Sequence, residues 1–207
     1  MRVIETDADI AEGLAHLCAV EPRFAHARGM VEDVPLRRRD DGFLALRDTI
    51  VGQQVSVAAG AAIRARLDAA GVTGPEALAG LDDEALRACG LSRQKVAYLR
   101  AIAAADLDYA ALRRAPEEEV VARLTAIKGL GRWSAEIYLL FALGRADTFA
   151  PADLALQEAA RLLFALPERP AERMLREMSA PWAPWRAVAA RLLWSYYHVA
   201  KGREGVG

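Results

Sequence analysis

Asp153 ends the short loop Thr148-Phe-Ala-Pro-Ala-Asp153, and the apolar run Leu-Ala-Leu-Gln157 follows it. An aspartate in that place is a helix N-cap. The cap is compatible with chemistry. A helix N-terminus favours negative charge, and a fixed carboxylate is what an oxocarbenium-like transition state needs beside it when a glycosidic bond breaks. Asp147, six residues earlier, is the rival carboxylate. It follows Arg145 in a more polar loop, which predicts a solvated side chain.

About twenty residues upstream lies LTAIKGLGRWSAEIYLLFALG, Leu124 to Gly144. Two apolar helices joined by Lys128-Gly-Leu-Gly131 make a compact hairpin. Gly129 and Gly131 permit backbone conformations closed to side chains and let the backbone approach a ligand. The second helix starts at the turn, so its first amides and its positive dipole end can hold a phosphate whatever the base sequence. Lys128 and Arg132 flank the turn and add charge. An ordinary helix–turn–helix corner accounts for the same glycines, and both accounts stand on the residues alone.

All four tryptophans lie at or after position 133. Trp133 opens the hairpin's second helix, Trp182 and Trp185 bracket Ala183-Pro184, and Trp194 follows in the last helix. Core filling explains Trp182 and Trp185. The other reading is an aromatic pocket that stacks on an everted base. Alkylated purines such as 7-methylguanine and 3-methyladenine carry positive charge, which an indole face attracts. Trp133, beside the turn, is the first candidate for such a pocket and Trp194 the second. None of His16, His26 and His198 sits in a catalytic pattern. The run Arg37-Arg-Arg39 reads as a solvated linker, whereas Arg93 and Lys95 at a helix start are better placed to touch phosphates.

The elements that must position these groups are helices. Glycine and proline fall between apolar segments of helical period, and no long stretch alternates with period two. Helices are predicted at Asp7–Val20, Pro22 to about Gly29, Phe43–Val51, Ser56–Ala70, Asp82–Cys89, Ser92–Ala105, Pro116–Ile127, Arg132–Leu143, Asp153–Phe164, Ala171–Met178 and Trp185–Lys201. Thr73-Gly-Pro-Glu76 predicts a capping box for a short helix. Val31 to Asp41, polar and holding Pro35, reads as a linker.

The chain has 207 residues, 54% of them hydrophobic and 27% charged, which excludes a disordered chain. Its net charge of −1 argues against a protein that coats phosphates, though not against one that touches a few through amides. Two cysteines, Cys18 and Cys89, cannot build a disulfide framework, a four-thiolate zinc site or an iron–sulfur cluster. With no apolar signal run and no stretch approaching a membrane span, the expected setting is a reducing cytoplasm, with no membrane partner.

Together these stretches resemble the helix-hairpin-helix–Gly/Pro–Asp superfamily of DNA glycosylases, and within it the AlkA-like 3-methyladenine-DNA glycosylase II branch. Ile50-Val-Gly-Gln-Gln-Val-Ser56, Gly90-Leu-Ser-Arg-Gln-Lys-Val96, the hairpin and Phe149 to Gln157 carry the likeness. Trp182-Ala-Pro-Trp-Arg186 and Leu193-Trp194 add a weaker stretch. The resemblance implies an all-α fold of two lobes with a cleft between them and no N-terminal β domain. The middle lobe would span 42–145, and the terminal lobe 1–41 and 146–207. Asp153 matches the catalytic aspartate. Gly129, Gly131 and Ser134 match positions that hold a DNA phosphate, with Lys128 and Arg132 beside them. Gln53 and Gln54 match the loop that fills the hole left by the everted base. Trp133, Trp194 and Ile137 match the base pocket. The carbonyls of Thr125, Ile127 and Leu130 match those that hold a structural monovalent cation; no other cofactor is implied.

In bifunctional relatives a lysine stands where this chain has Trp133, so hydrolysis without strand cleavage is expected. Ile137 replaces a tyrosine of some relatives, which implies a pocket wider or differently selective. The activity implied is excision of alkylated bases from duplex DNA by a monomer, associated with the nucleoid when it acts. Two alternatives stay open: a non-catalytic DNA-binding module built on the same hairpin, and a glycosylase for deaminated or oxidised bases. A neutral lesion needs hydrogen bonds at its edge, which a mostly apolar pocket would not supply.

Overall fold

The computed structural model describes residues 1–202, so the last five residues of the expected terminal lobe lie outside it. The described residues are helical and contain no β-strand; one isolated antiparallel bridge pairs Val3 with Arg145. In chain order the helices are α1 (Asp7–Val20), α2 (Pro22–Met30), α3 (Phe43–Gly52), α4 (Val57–Ala69), α5 (Pro75–Ala79), α6 (Asp83–Ala88), α7 (Arg93–Ala104), α8 (Tyr109–Arg114), α9 (Glu117–Thr125), α10 (Arg132–Phe141), α11 (Leu154–Leu163), α12 (Glu172–Met178) and α13 (Arg186–Lys201). A 3-10 turn covers Ala180–Trp182. The chain divides into two compact units. One is Arg39–Ala142; the other joins Met1–Arg38 to the chain from Leu143 onward.

In the unit Arg39–Ala142, polar residues set the helix starts. Ser56, Asp82, Ser92 and Asp108 each accept the third amide of the following helix, which satisfies donors the helix cannot. Asp108 starts α8, a helix the apolar periodicity did not reveal: of its six residues only Leu112 is buried. The capping box expected at Thr73–Glu76 does not form. Gly74 is the N-cap without a side-chain bond, because Pro75 takes the first helical position and leaves Glu76 at the second. A capping-box carboxylate must stand at the third to reach back. Helix α7 buries Val96, Leu99 and Ile102 against α3, α5 and α6. Buried Arg47 is paired with Asp48 and Asp68 and donates to the Val72 carbonyl, which compensates its desolvation.

The other unit is built on α13. Ala187 to Leu193 are buried without a break, and the helix packs on α1, α2 and α11. Arg191 holds the segment before α3 to this helix through the Leu36 carbonyl (3.0 Å); burial lowers its pKa to about 10, so it stays cationic. Trp182 is core. Its ring meets Phe24 and Phe149 edge-on at 5.1 and 5.4 Å and stacks on Phe164 at 5.9 Å. Trp185 is core too, 3% exposed, with the Arg2 guanidinium 4.0 Å over its ring.

Candidate functional site

The loop before α11 delivers Asp153 in a fixed orientation. Phe149 anchors one end against Trp182. The Ala150 carbonyl accepts the Asp153 amide at 3.0 Å, and buried Gln157 reaches back to donate to the Pro151 carbonyl at 2.8 Å. Asp153 is half-buried and caps α11: its Oδ1 accepts the amides of Ala155 (3.0 Å) and Leu156 (3.1 Å). A third donor comes from another helix, for the Trp194 indole N–H points at the same oxygen at 3.1 Å. Trp194 is only 5% exposed. In this unit it therefore holds the carboxylate and does not offer an open ring face, unlike the stacking wall expected of it.

Asp147 is not the solvated group its loop predicts. Arg186, the first residue of α13, grips both its oxygens at 2.7 Å. That bidentate pair neutralises it and removes it as a rival for stabilising a cation. His16 lies 3.0 Å from the Ala183 carbonyl.

In the unit Arg39–Ala142, α9 and α10 form the hairpin. Buried Ile127 and Leu130 root the turn, and the Leu130 amide donates to the Ile127 carbonyl at 3.1 Å. Gly129 has φ +97°, and a Cβ there would stand 2.6 Å from two atoms of the Tyr98 ring. Both facts demand glycine. Gly131 does not share the first demand. Its φ of −92° is open to any residue, and a Cβ would meet nothing within 4 Å. What a bare Gly131 leaves is an N-cap without a side chain, so the first amides of α10 are uncovered. Ser134 is buried beneath them.

The charges beside this turn differ in state. Lys128 is exposed. Arg132 is paired with Glu118 at 2.7 Å and with Glu136 at 3.1 Å, and the bond to Glu118 above all raises its pKa. The Thr125 hydroxyl turns back onto α9, to the Val121 carbonyl at 2.8 Å. Trp133 and Ile137 are half-buried, one turn apart on α10, and so share a face.

The two glutamines after α3 separate. Gln53 turns inward: its Nε2 donates to the Gly129 carbonyl and to Ser134 Oγ, both at 3.1 Å. Lys95 braces the same loop, its ammonium on the carbonyls of Val51 (2.7 Å) and Gln53 (2.8 Å). Burial lowers the Lys95 pKa. This engagement corrects the expectation of Lys95 as a phosphate contact; Arg93, two residues earlier, is exposed. Gln54 is exposed and held at φ +55°, a conformation costly for a side-chain residue. A groove of about 350 Å³ runs past Gln53, Gln54, Gly90, Ser92, Lys95 and Tyr98. Periodicity could not separate the glutamines, since the signal lies in partners 76 and 81 residues away.

No group of three or more His, Cys, Asp or Glu side chains among the described residues is arranged to hold a metal. The donors available to a cation are the neutral turn carbonyls of Thr125, Ile127 and Leu130.

The family model described as HhH-GPD superfamily base excision DNA repair protein matches residues 48–184. The chain is 38% identical over 125 residues to DNA-3-methyladenine glycosylase 1 of Schizosaccharomyces pombe, covering 58% of this chain and 55% of that protein. It is 35% identical over 124 residues to the putative DNA-3-methyladenine glycosylase YfjP of Bacillus subtilis, covering 58% and 43%. It thus spans about half the length of these curated relatives. Among solved structures, the S. pombe 3-methyladenine DNA glycosylase Mag1 in complex with abasic DNA superposes with a TM-score of 0.80 at 29% identity, over 92% of this chain and 97% of that one. The DNA-3-methyladenine glycosidase of Bacillus halodurans gives 0.76 at 30% identity, over 100% and 97%.

Proposed function

Because the chain belongs to the HhH-GPD superfamily of base excision DNA repair proteins, we propose that it is a monofunctional DNA-3-methyladenine glycosylase, which excises alkylated bases from duplex DNA. One observation carries the reading: Asp153 is fixed at the start of α11 by three uncharged donors and has no cationic partner among them. The uncovered amides at Gly131–Ser134 hold a strand phosphate, helped by Lys128, and Gln54 fills the gap the nucleotide leaves. The cationic base lies against Trp133 and Ile137. As the C1′–N bond breaks, its electron pair leaves with the base, which departs neutral. Asp153 stabilises the positive charge that grows on the sugar. Water adds its oxygen at C1′ and gives up a proton, leaving an abasic site. Tryptophan at 133 supplies no amine, so the strand stays intact.

The carbonyls of Thr125, Ile127 and Leu130 fit a monovalent cation, since they are hard neutral oxygens with no carboxylate among them. Such an ion would add positive charge near the bound phosphate. The chain acts as a monomer in a reducing cytoplasm, a setting in keeping with its two free thiols.

The test is release of 3-methyladenine and 7-methylguanine from methylated duplex by an Asp153→Asn variant, with hypoxanthine and uracil duplexes alongside. Asparagine also caps helices, so the fold survives. Release should fall on the order of 100- to 1,000-fold. Undiminished release would remove Asp153 from the chemistry and the proposal with it.

A further inference from the structure

Two aspartates flank the same loop and are held in opposite ways. Asp147 is gripped by a guanidinium through both oxygens. At Asp153, Oδ1 takes two backbone amides and one indole N–H, all uncharged. The difference matters to a reaction that develops positive charge. A cationic partner would orient a carboxylate but cancel the field it must exert, whereas a neutral donor orients it and leaves its charge in place.

The two amides belong to the helix that Asp153 itself caps, and any N-cap aspartate would have them. The indole comes from α13. Its backbone cannot drift, for Ala187 to Leu193 are all buried around it. Only this third bond ties the carboxylate to a second helix and resists its swinging about the helix end. We propose that Trp194 is a positioning residue: its indole N–H sets the orientation of the Asp153 carboxylate toward the sugar without neutralising it. The inference rests on the proposed glycosylase reading and assigns Trp194 a role apart from stacking on the base.

Replacing Trp194 with benzothienylalanine keeps the shape of the ring system and deletes only the donor, so packing is preserved. Single-turnover excision from methylated duplex should fall, by up to about 100-fold if the carboxylate shifts by an ångström. Affinity for abasic-site DNA should stay within about twofold, because binding does not use the bond. Trp194→Phe, if it folds, should show the same split between rate and affinity. An isostere that excises at the wild-type rate, measured beside an inactive Asp153→Asn, overturns the assignment while leaving the glycosylase reading intact. A loss of abasic-DNA affinity in step with rate also overturns it, since it would make the ring a contact surface. Full activity in Asp153→Asn takes down both.

Discussion

Alanine at Gly129 and at Gly131 should have opposite effects, although the two residues occupy the same turn. At Gly129 two costs add. Alanine at φ +97° carries about 1–2 kcal/mol of backbone strain. Its Cβ would also lie 2.6 Å from Cδ1 and Cδ2 of Tyr98, and pushing that ring back costs about 1–3 kcal/mol. The sum is roughly 2–5 kcal/mol, and at about 2–4 °C per kcal/mol for a chain of this size, Tm should fall by roughly 5–15 °C. Tyr98→Ala in the Gly129→Ala background should recover only the collision, since the φ strain remains. At Gly131, φ is −92° and nothing lies within 4 Å of the added carbon. Alanine there should leave stability unchanged or raise it by up to about 1 kcal/mol through a less flexible unfolded chain. The new methyl stands over the first amides of α10, so DNA affinity should drop. Urea denaturation followed by circular dichroism and fluorescence anisotropy on abasic-site DNA separate the two. If Gly129→Ala unfolds within about 0.5 kcal/mol of wild type, or Gly131→Ala is the destabilised one, the account of this turn is wrong.

Two further outcomes follow from the loop after α3 and from the end of α13. Gln53→Ala should destabilise by about 1–3 kcal/mol because the Gly129 carbonyl and Ser134 lose a buried partner. Gln54→Gly should instead hold or gain about 1 kcal/mol, relieving φ +55°, while excision from paired duplex drops; wild-type excision by Gln54→Gly would count against the wedge. Glu158 is held down to about 2 from 4.5 by hydrogen bonds from Arg161 and then Lys201. A depressed carboxylate stabilises above its unfolded pKa, so this contribution is complete above about pH 4.5 and vanishes as pH falls toward 2. The stability gap between wild type and Glu158→Gln should close across that window and shrink in 1 M salt; a gap independent of pH would contradict the pairing.

Helix starts were legible in the sequence because caps are local. Ser92 and Asp153 announce α7 and α11 within three residues, and the structure finds their side chains on those amides. Helix α8 was missed because a six-residue helix with one buried side chain has no periodicity to read. The Thr73 box failed for the reverse reason: a local pattern was present, but the proline fixed the register one residue away. At the candidate site the residue types were readable and the partners were not. Asp147 looked solvated until Arg186, 39 residues on, closed over it. Trp194 looked like a wall until its N–H was seen 41 residues back, on Asp153. Spacing reports what a side chain is; only the folded chain reports what it is held by.

That distinction also accounts for the unremarkable net charge of −1. Cations near the hairpin are engaged in holding the protein together. Arg132 pairs with Glu118 and Glu136, and Lys95 is turned onto loop carbonyls. A grip on DNA made this way rests on backbone amides, which add no formal charge to the sum and need no long side chain to be ordered. The rigid parts then follow as a necessity. Amides bind only where the backbone already lies, so the turn must be fixed in advance by Tyr98 beneath Gly129 and by Gln53 behind it. The same bond that fixes the turn fixes the root of the loop carrying Gln54. Phosphate grip and wedge are therefore one rigid piece, and a change that loosens Gln53 should be felt at both.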